Sequence, residues 1–175
     1  MQTEYVPTSP DQTSAYLSRD LFEEEVWKVT KRSRFGAVVF DHYNRVLLRE
    51  PANHFDGYVW TFSKGAPDPH EHPVETALRE TLEETGHKPF IIGHLPEGFQ
   101  GGHVASVNYF YLAFDTTGQV DTRAMDQNGE TSSTRWVTHD EAQDLISQST
   151  NTHGRERDLR TLEAAYKEYL TLIAT

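Results

Sequence analysis

The chain has no cysteine among its 175 residues. That absence removes disulfide scaffolds, Cys-ligated zinc, iron–sulfur centres and thiol nucleophiles together. Long apolar runs are also missing. No stretch approaches the roughly 18 residues of a membrane span, and Met1–Asp20 lacks the apolar core of a signal peptide. A soluble, cytoplasmic protein with no membrane partner is the expectation. Positive charge is scarce as well, with 16 Lys and Arg against 27 Asp and Glu and a formal net charge of −11. Nucleic acids and anionic membranes are bound largely through Lys and Arg at phosphates, so no nucleic-acid partner is expected. A small polyphosphate remains compatible where local cations or metal ions screen the acidic field. No repeat with a period of 20–50 residues and no low-complexity tract is visible.

What is present suits one domain with some extra terminal chain. A chain of this length buries about 70% of its unfolded surface, so it needs no disulfide or structural metal to fold. Residues 1–20 are polar, with Pro7 and Pro10 and no period, and are expected to form a loosely ordered arm before a domain over 21–175. Val26, Trp27 and Val29 are expected to begin a strand. Phe35–Phe40 and Arg45–Arg49 form the arms of an expected β-hairpin whose turn uses Asp41 and Asn44. Further strands are expected near Tyr58–Phe62, Pro89–Leu95, Val107–Phe114 and Ser133–Val137. Thr138 or Asp140 is placed to cap a short helix reaching about Gln148, and a final helix is expected from about Arg155 to Leu172. Strands and helices interleave irregularly, which points to a mixed sheet between helices.

The clearest element is a helix from Pro73 to Gly86. Val74, Ala77, Leu78, Thr81, Leu82 and Thr85 recur at helical spacing, Pro73 fits the first turn, and Gly86 supplies the stop. On it Glu80, Glu83 and Glu84 stand at i, i+3 and i+4, on one arc away from the apolar face. Clustered like charges gain an isolated helix nothing. A solvated acidic face is one reading of them. The other is a rigid fan of hard oxygen ligands for Mg²⁺, leaving positions for phosphate and water.

The stretch Gly65–His87 reads GAPDPHEHPVETALRETLEETGH. It resembles the signature of the Nudix hydrolases: Gly, five residues, Glu, seven residues, then Arg-Glu-aliphatic-any-Glu-Glu-any-Gly-aliphatic. Gly65, Glu71, Arg79, Glu80, Glu83, Glu84 and Gly86 match it, while the aliphatic positions hold Thr81 and His87. With the hairpin before it and the strands, Trp-ending strand and helix after it, the resemblance extends over about Arg34–Gln148. It implies an α/β/α sandwich around a mixed β-sheet. It also implies Mg²⁺- or Mn²⁺-dependent hydrolysis of a pyrophosphate bond in a nucleoside diphosphate linked to another group. On that resemblance Glu80, Glu83 and Glu84 are metal ligands, joined by the carbonyl of Lys64 from the Gly65 loop. Glu84 is the foremost of them, and Arg79 orients the box by pairing with a carboxylate such as Glu71.

Outside the signature, Glu130 precedes Trp136 by six residues, a spacing similar to that of dinucleoside polyphosphate hydrolases in the family. It implies Glu130 as a further ligand or general base, against the plainer role of a loop carboxylate capping a turn. Trp60–Gly65 reads WTFSKG and resembles the Phe-Pro-Lys-Gly segment of the same subgroup, with Ser63 in the proline position. Lys64 and Arg49 are phosphate-binding candidates, Arg49 with a surface ion pair as its alternative. Tyr109 or Tyr111 is a candidate for stacking on a base, although strand alternation sends one of the two into the core. The expected partner is a small-molecule nucleotide, with dinucleoside polyphosphates first and ADP-ribose or a nucleotide sugar second. A homodimer is compatible with the chain. His70 and His72 flank Glu71, but no ligand set recurs at zinc spacing. A nucleotide sensor of the same fold commonly lacks box carboxylates that this chain keeps. The isoprenoid diphosphate isomerases rely on a cysteine it lacks, and RNA decapping asks for a basic surface.

Overall fold

The computed structural model describes residues 27–100, 106–125 and 129–174. The polar arm expected over Met1–Asp20, together with Val26, Gly101–His103 and Asp126, lies outside them. Strand β1 (Ser33–Phe40) turns into β2 (Val46–Pro51) with Phe40 opposite Val46. The turn is built as its residues suggest. Asp41 Oδ1 accepts from the backbone N–H of Tyr43 and of Arg45, each at 2.9 Å, and Asn44 sits at φ 57°, a left-handed conformation that Asn tolerates.

After that single pair the two strands part. β3 (Ser63–Gly65) takes the place alongside β1, with Ala37 facing Ser63 and Phe35 facing Gly65. β2 reaches back through Arg49 and Thr61, whose backbones exchange N–H···O bonds at 2.9 and 3.0 Å. This splay brings Arg49, Thr61 and Lys64 together. β4 (Phe90–His94), β5 (Phe99–Gln100), β6 (Val107–Phe114) and β7 (Thr131–Val137) complete the sheet, in the order β4-β6-β1-β2-β7 with β5 beside β6. β1 and β6 run parallel and the other pairs antiparallel, so the sheet is mixed.

Side chains alternate along β1 and divide the core in two. Val38 and Phe40 join Leu48, Phe110 and Leu112 beneath helices α2 (His139–Ile146) and α3 (Thr152–Ile173), meeting Ile146, Leu162 and Tyr166. Phe35, Ala37 and Val39 face the other way with Tyr111, against Val74 and Ala77 of helix α1 (Pro73–Thr85). Helices cover both faces, giving the expected α/β/α sandwich.

The helix ends follow their capping residues. Gly86 closes α1 at φ 74°. Thr138 caps α2, receiving the N–H of Glu141 while the Glu141 side chain reaches back to Thr138 N. α3 starts at Thr152, earlier than Arg155, because Asn151 Oδ1 accepts from Gly154 N at 2.9 Å.

Other expectations are corrected. Trp27 and Val29 do not begin a strand. The ladder opens at Ser33, and the buried Trp27 stacks on Tyr109 while its Nε1 donates to Leu95 O at 2.7 Å. Within Tyr58–Phe62 only Thr61 makes a β-bridge, and the strand proper is Ser63–Gly65.

Both polar residues in the aliphatic slots are fully satisfied. Thr81 is buried, and its hydroxyl donates to Ala77 O one turn back at 2.8 Å. His87 is buried edge-on to Trp136, with Nδ1 paired to the Asp115 carboxylate. Burial would raise the Asp115 pKa, but His87 and the N–H groups of Thr117 and Gly118 outweigh it and hold the carboxyl below its usual range. Among the described residues no helix is long and apolar enough to cross a membrane.

Candidate active site

The carboxylates of α1 are organised by one guanidinium. Arg79 Nε and Nη2 grip Glu71 at 2.8 and 3.0 Å, Nη1 meets Glu80 at 3.0 Å and Glu83 at 3.1 Å, and Nη2 also donates to Ala66 O at 2.9 Å. The bidentate Arg79 bond is the main reason Glu71 is held down to about 2, assisted by Thr76 Oγ1 and Asp68 N. Arg79 therefore ties Glu71 at the start of the box to Glu80 and Glu83 further along the helix. His72 serves the start of the helix instead, its backbone N–H donating to the Glu75 carboxylate at 3.0 Å.

Glu84 is different. Although it follows Glu80 by one turn, its side chain turns inward and is 4% exposed. Lys64 N donates to its Oε1 at 3.3 Å. Arg49 Nε lies 2.8 Å from Oε2, yet its N–H is aimed at Thr131 Oγ1, which leaves Oε2 buried without a hydrogen bond. Burial pushes the Glu84 carboxyl up to about 8 against the pull of Arg49 and Lys64. Burial, with Arg157 nearby, pushes the Lys64 ammonium down to about 8.

β3 carries Lys64 and Gly65 to the same place. A Cβ on Gly65 would fall 2.0 Å from Glu80 Oε1, so only glycine lets the strand lie this close to the carboxylate.

The donor set suits a hard divalent cation. Carboxylate oxygens are the ligands Mg²⁺ and Mn²⁺ prefer, and the buried Oε2 of Glu84 accepts no hydrogen bond and has only the ion pair with Arg49. Among the described residues no three acidic or histidine side chains already converge at ligand geometry. Arg79 and Arg49 hold the carboxylates instead.

Next to Arg49 and Lys64, which both meet Glu84, opens a cavity of about 500 Å³ whose lining includes Arg49, Thr61, Lys64, Phe55, Asp56 and Tyr58. Glu130 stands at its rim and is exposed. Its carbonyl accepts from Arg49 Nη2 at 2.9 Å and from Ala52 N at 2.8 Å. The structure thus brings Glu84, Lys64, Arg49 and Glu130 to one cleft.

Tyr109 is not brought there. It is buried against Trp27 and Phe35 and its hydroxyl donates to Lys28 O, so its ring is core rather than an open stacking surface. Tyr111 is buried too. A second group escaped the sequence reading. Arg157 and Asp158 of α3 are buried, with Asp158 accepting from Thr61 Oγ1 at 2.6 Å and Arg157 lying over the Tyr58 ring. Their signal was the four-residue step to Thr161 and Leu162, which places both on the apolar face of the helix.

The NUDIX domain family matches residues 30–158. A Streptomyces rubellomurinus protein named CMP-5′-(N-acetyl-N-hydroxy-3-aminopropyl)phosphonate hydrolase is 35% identical over 112 residues, covering 62% of this chain. The match spans about half of that relative, 52% of its length. Among solved structures, a NUDIX hydrolase from Nitrosomonas europaea aligns with TM-score 0.60 at 16% identity, covering 79% of this chain and 90% of the other. The Ap4A hydrolase of C. elegans aligns with TM-score 0.57 at 18% identity over 81% and 98%. At these identities the structural likeness establishes the fold.

Proposed function

This chain belongs to the Nudix family, and from that premise we propose that it hydrolyses a P–O–P bond joining a nucleoside 5′-phosphoryl group to a second phosphorus-containing group. The observation that carries the reading is Glu84: a buried carboxylate of the acidic helix with one oxygen free of hydrogen bonds, meeting Arg49 and Lys64 of a cavity of substrate size.

Water attack on a pyrophosphate is slow because the oxygens around phosphorus are anionic. A divalent ion held by Glu80, Glu83, Glu84 and the Lys64 carbonyl would supply Lewis acidity and ease ionisation of water. The chain's own groups do the rest. Lys64 and Arg49 face the cavity and offset charge on the phosphoryl oxygens. Arg79 fixes Glu80 and Glu83 in register and takes no part in proton transfer. The Glu130 carboxylate at the rim takes the proton from the attacking water as the new O–P bond forms. The bridging P–O bond then breaks and the departing phosphoryl group carries away the electron pair.

Dinucleoside polyphosphates lead the substrate class, on the WTFSKG segment and the Glu130–Trp136 spacing. A nucleoside monophosphate joined to a small acidic group is the second reading. It is supported by the cavity, which has room for one nucleoside, and by the name of the Streptomyces relative.

The test is product chromatography with Mg²⁺ and a panel of diadenosine polyphosphates, ADP-ribose, nucleotide sugars, CMP-linked phosphonates and nucleoside triphosphates. Metal-dependent cleavage of one member is expected and names the class. Tight binding without cleavage would point to a sensor. A companion variant isolates the loop's role. Gly65→Ala is expected to lower kcat about tenfold or more. The added methyl falls on the Glu80 carboxylate, which must give up its bond from Arg79 and with it its working position.

A further inference from the structure

We propose that the cavity is a subsite for a single nucleoside, in which the Phe55 ring stacks on the base and the Asp56 carboxylate accepts from an exocyclic amine. The inference deepens the proposed function and rests on it for the phosphoryl end, which lies over Lys64 and Arg49.

The loop Ala52–Gly57 supplies Ala52, Asn53, Phe55 and Asp56 to the lining that also holds those cations. Its backbone holds Asn53 at φ 55°, His54 at φ 47° and Asp56 at φ 54°, left-handed conformations that Asn, His and Asp tolerate better than other side chains. Hydrogen bonds hold the loop in this form. Ala52 N donates to Glu130 O at 2.8 Å, Asn151 Nδ2 to Asp56 O at 3.1 Å, and Thr150 N to Gly57 O at 2.9 Å.

The result is that Phe55, 77% exposed, is presented at the cavity rather than folded into the core. A lone exposed phenylalanine is ordinary. One carried on a pinned loop and lining a cavity is placed for contact. Tyr58, the other aromatic of this lining, is already used: Lys64 Nζ and the Arg157 guanidinium lie 5.7 and 5.4 Å from its ring centre. Phe55 is the ring left open.

Charge gives the direction. Arg49 and Lys64 line the cavity where they meet Glu84, whereas Asp56 lines it from the loop, its Oδ2 also accepting from Asn151 Nδ2 at 3.4 Å. A ligand lying across the cavity is therefore best anionic at one end and donor-bearing at the other. A nucleotide of adenine or cytosine has that form. The carbonyl edge of uracil or hypoxanthine would set an acceptor against the Asp56 carboxylate. The volume of about 500 Å³ takes one nucleoside and not two.

The test is calorimetric titration of CMP, UMP, AMP and IMP with Mg²⁺ into the full chain and into Phe55→Ala, Phe55→Trp and Asp56→Asn. The native protein is expected to favour CMP over UMP and AMP over IMP by about tenfold. Phe55→Ala should weaken CMP and AMP by about tenfold or more, Phe55→Trp should retain them, and Asp56→Asn should erase the amine preference. Both side chains are exposed, so folding is preserved, and unchanged Tm values check it. Affinity within twofold of native in Phe55→Ala, or no amine preference in the native protein, overturns the subsite. Because the readout is binding, the expected pattern without cleavage of the panel leaves the subsite standing and sinks the hydrolase reading. Cleavage with flat binding does the reverse.

Discussion

Glu84→Gln is expected to reduce kcat by about 10³-fold or more while leaving the protein folded. The substitution keeps the shape of the side chain and its bond from Lys64 N, and removes only the charge at the buried Oε2. An amide is a poor ligand for a hard cation, so the loss falls on turnover and on metal affinity. Stability is expected to move the other way at high pH. Burial lifts the Glu84 carboxyl to about 8, well above the roughly 4.3 of an unfolded chain. A carboxyl raised in this sense favours the folded state fully below the unfolded value. That contribution is lost as pH rises through about 8. The amide of the Glu84→Gln variant does not titrate. In EDTA the native protein should therefore lose stability between pH 5 and 9 relative to the variant. Steady-state kinetics and urea unfolding at both pH values check the two halves. Turnover within tenfold of native sinks the ligand role, and parallel pH profiles sink the account of burial.

That dual character was only half legible in the sequence. The spacing of Glu80, Glu83 and Glu84 put them on one arc of a helix, and the arc is real. What the spacing did not carry is that Glu84 turns inward while Glu80 and Glu83 bracket Arg79, because the difference comes from β3 lying against one side of the helix. The hairpin and the three α-helices among the described residues were readable from local chemistry: alternation, Asp41 and Asn44 in the turn, Thr138 and Gly86 at helix ends. The parting of β1 and β2 was not. Nothing in Arg45–Arg49 records that β3 will slip in beside β1, a pairing made across more than twenty residues. The cavity follows from that splay, and so do the roles of Arg157 and Asp158, which come from the far end of the chain to meet Tyr58 and Thr61 of its lining. Tyr109 shows the opposite failure. An aromatic strand suggests stacking on a ligand as readily as stacking on Trp27, and only the position of Trp27 decides between them.

The second large effect concerns stability. Arg79→Ala is expected to destabilise the metal-free protein by about 3 kcal/mol, or roughly 6–12 °C in Tm for a chain of this size. The guanidinium makes two bonds to Glu71 and one each to Glu80 and Glu83, at 2.8 to 3.1 Å. Removing it leaves partly buried carboxylates facing one another with no counter-charge. Arg79→Lys should recover only part of the loss, since an ammonium cannot hold Glu71 through two bonds while also reaching Glu80. The pH dependence distinguishes this from a simple packing defect. Glu71 is held down to about 2 in the folded protein, mainly by its hydrogen bonds from Arg79. A carboxyl depressed in this way contributes fully above its unfolded value near 4.3, and the contribution disappears as pH falls through about 2. The gap between native and Arg79→Ala should thus be complete at pH 7 and shrink steadily below pH 4. A packing defect would give a gap that ignores pH. Divalent cations should also close it at neutral pH, because a cation among the carboxylates supplies the charge that Arg79 no longer does. Urea unfolding at pH 7 and pH 3, with and without Mn²⁺, measures all three. A gap that is constant with pH and indifferent to Mn²⁺ would show that Arg79 acts by filling space, and would remove the guanidinium from its place as the tie of the acidic helix.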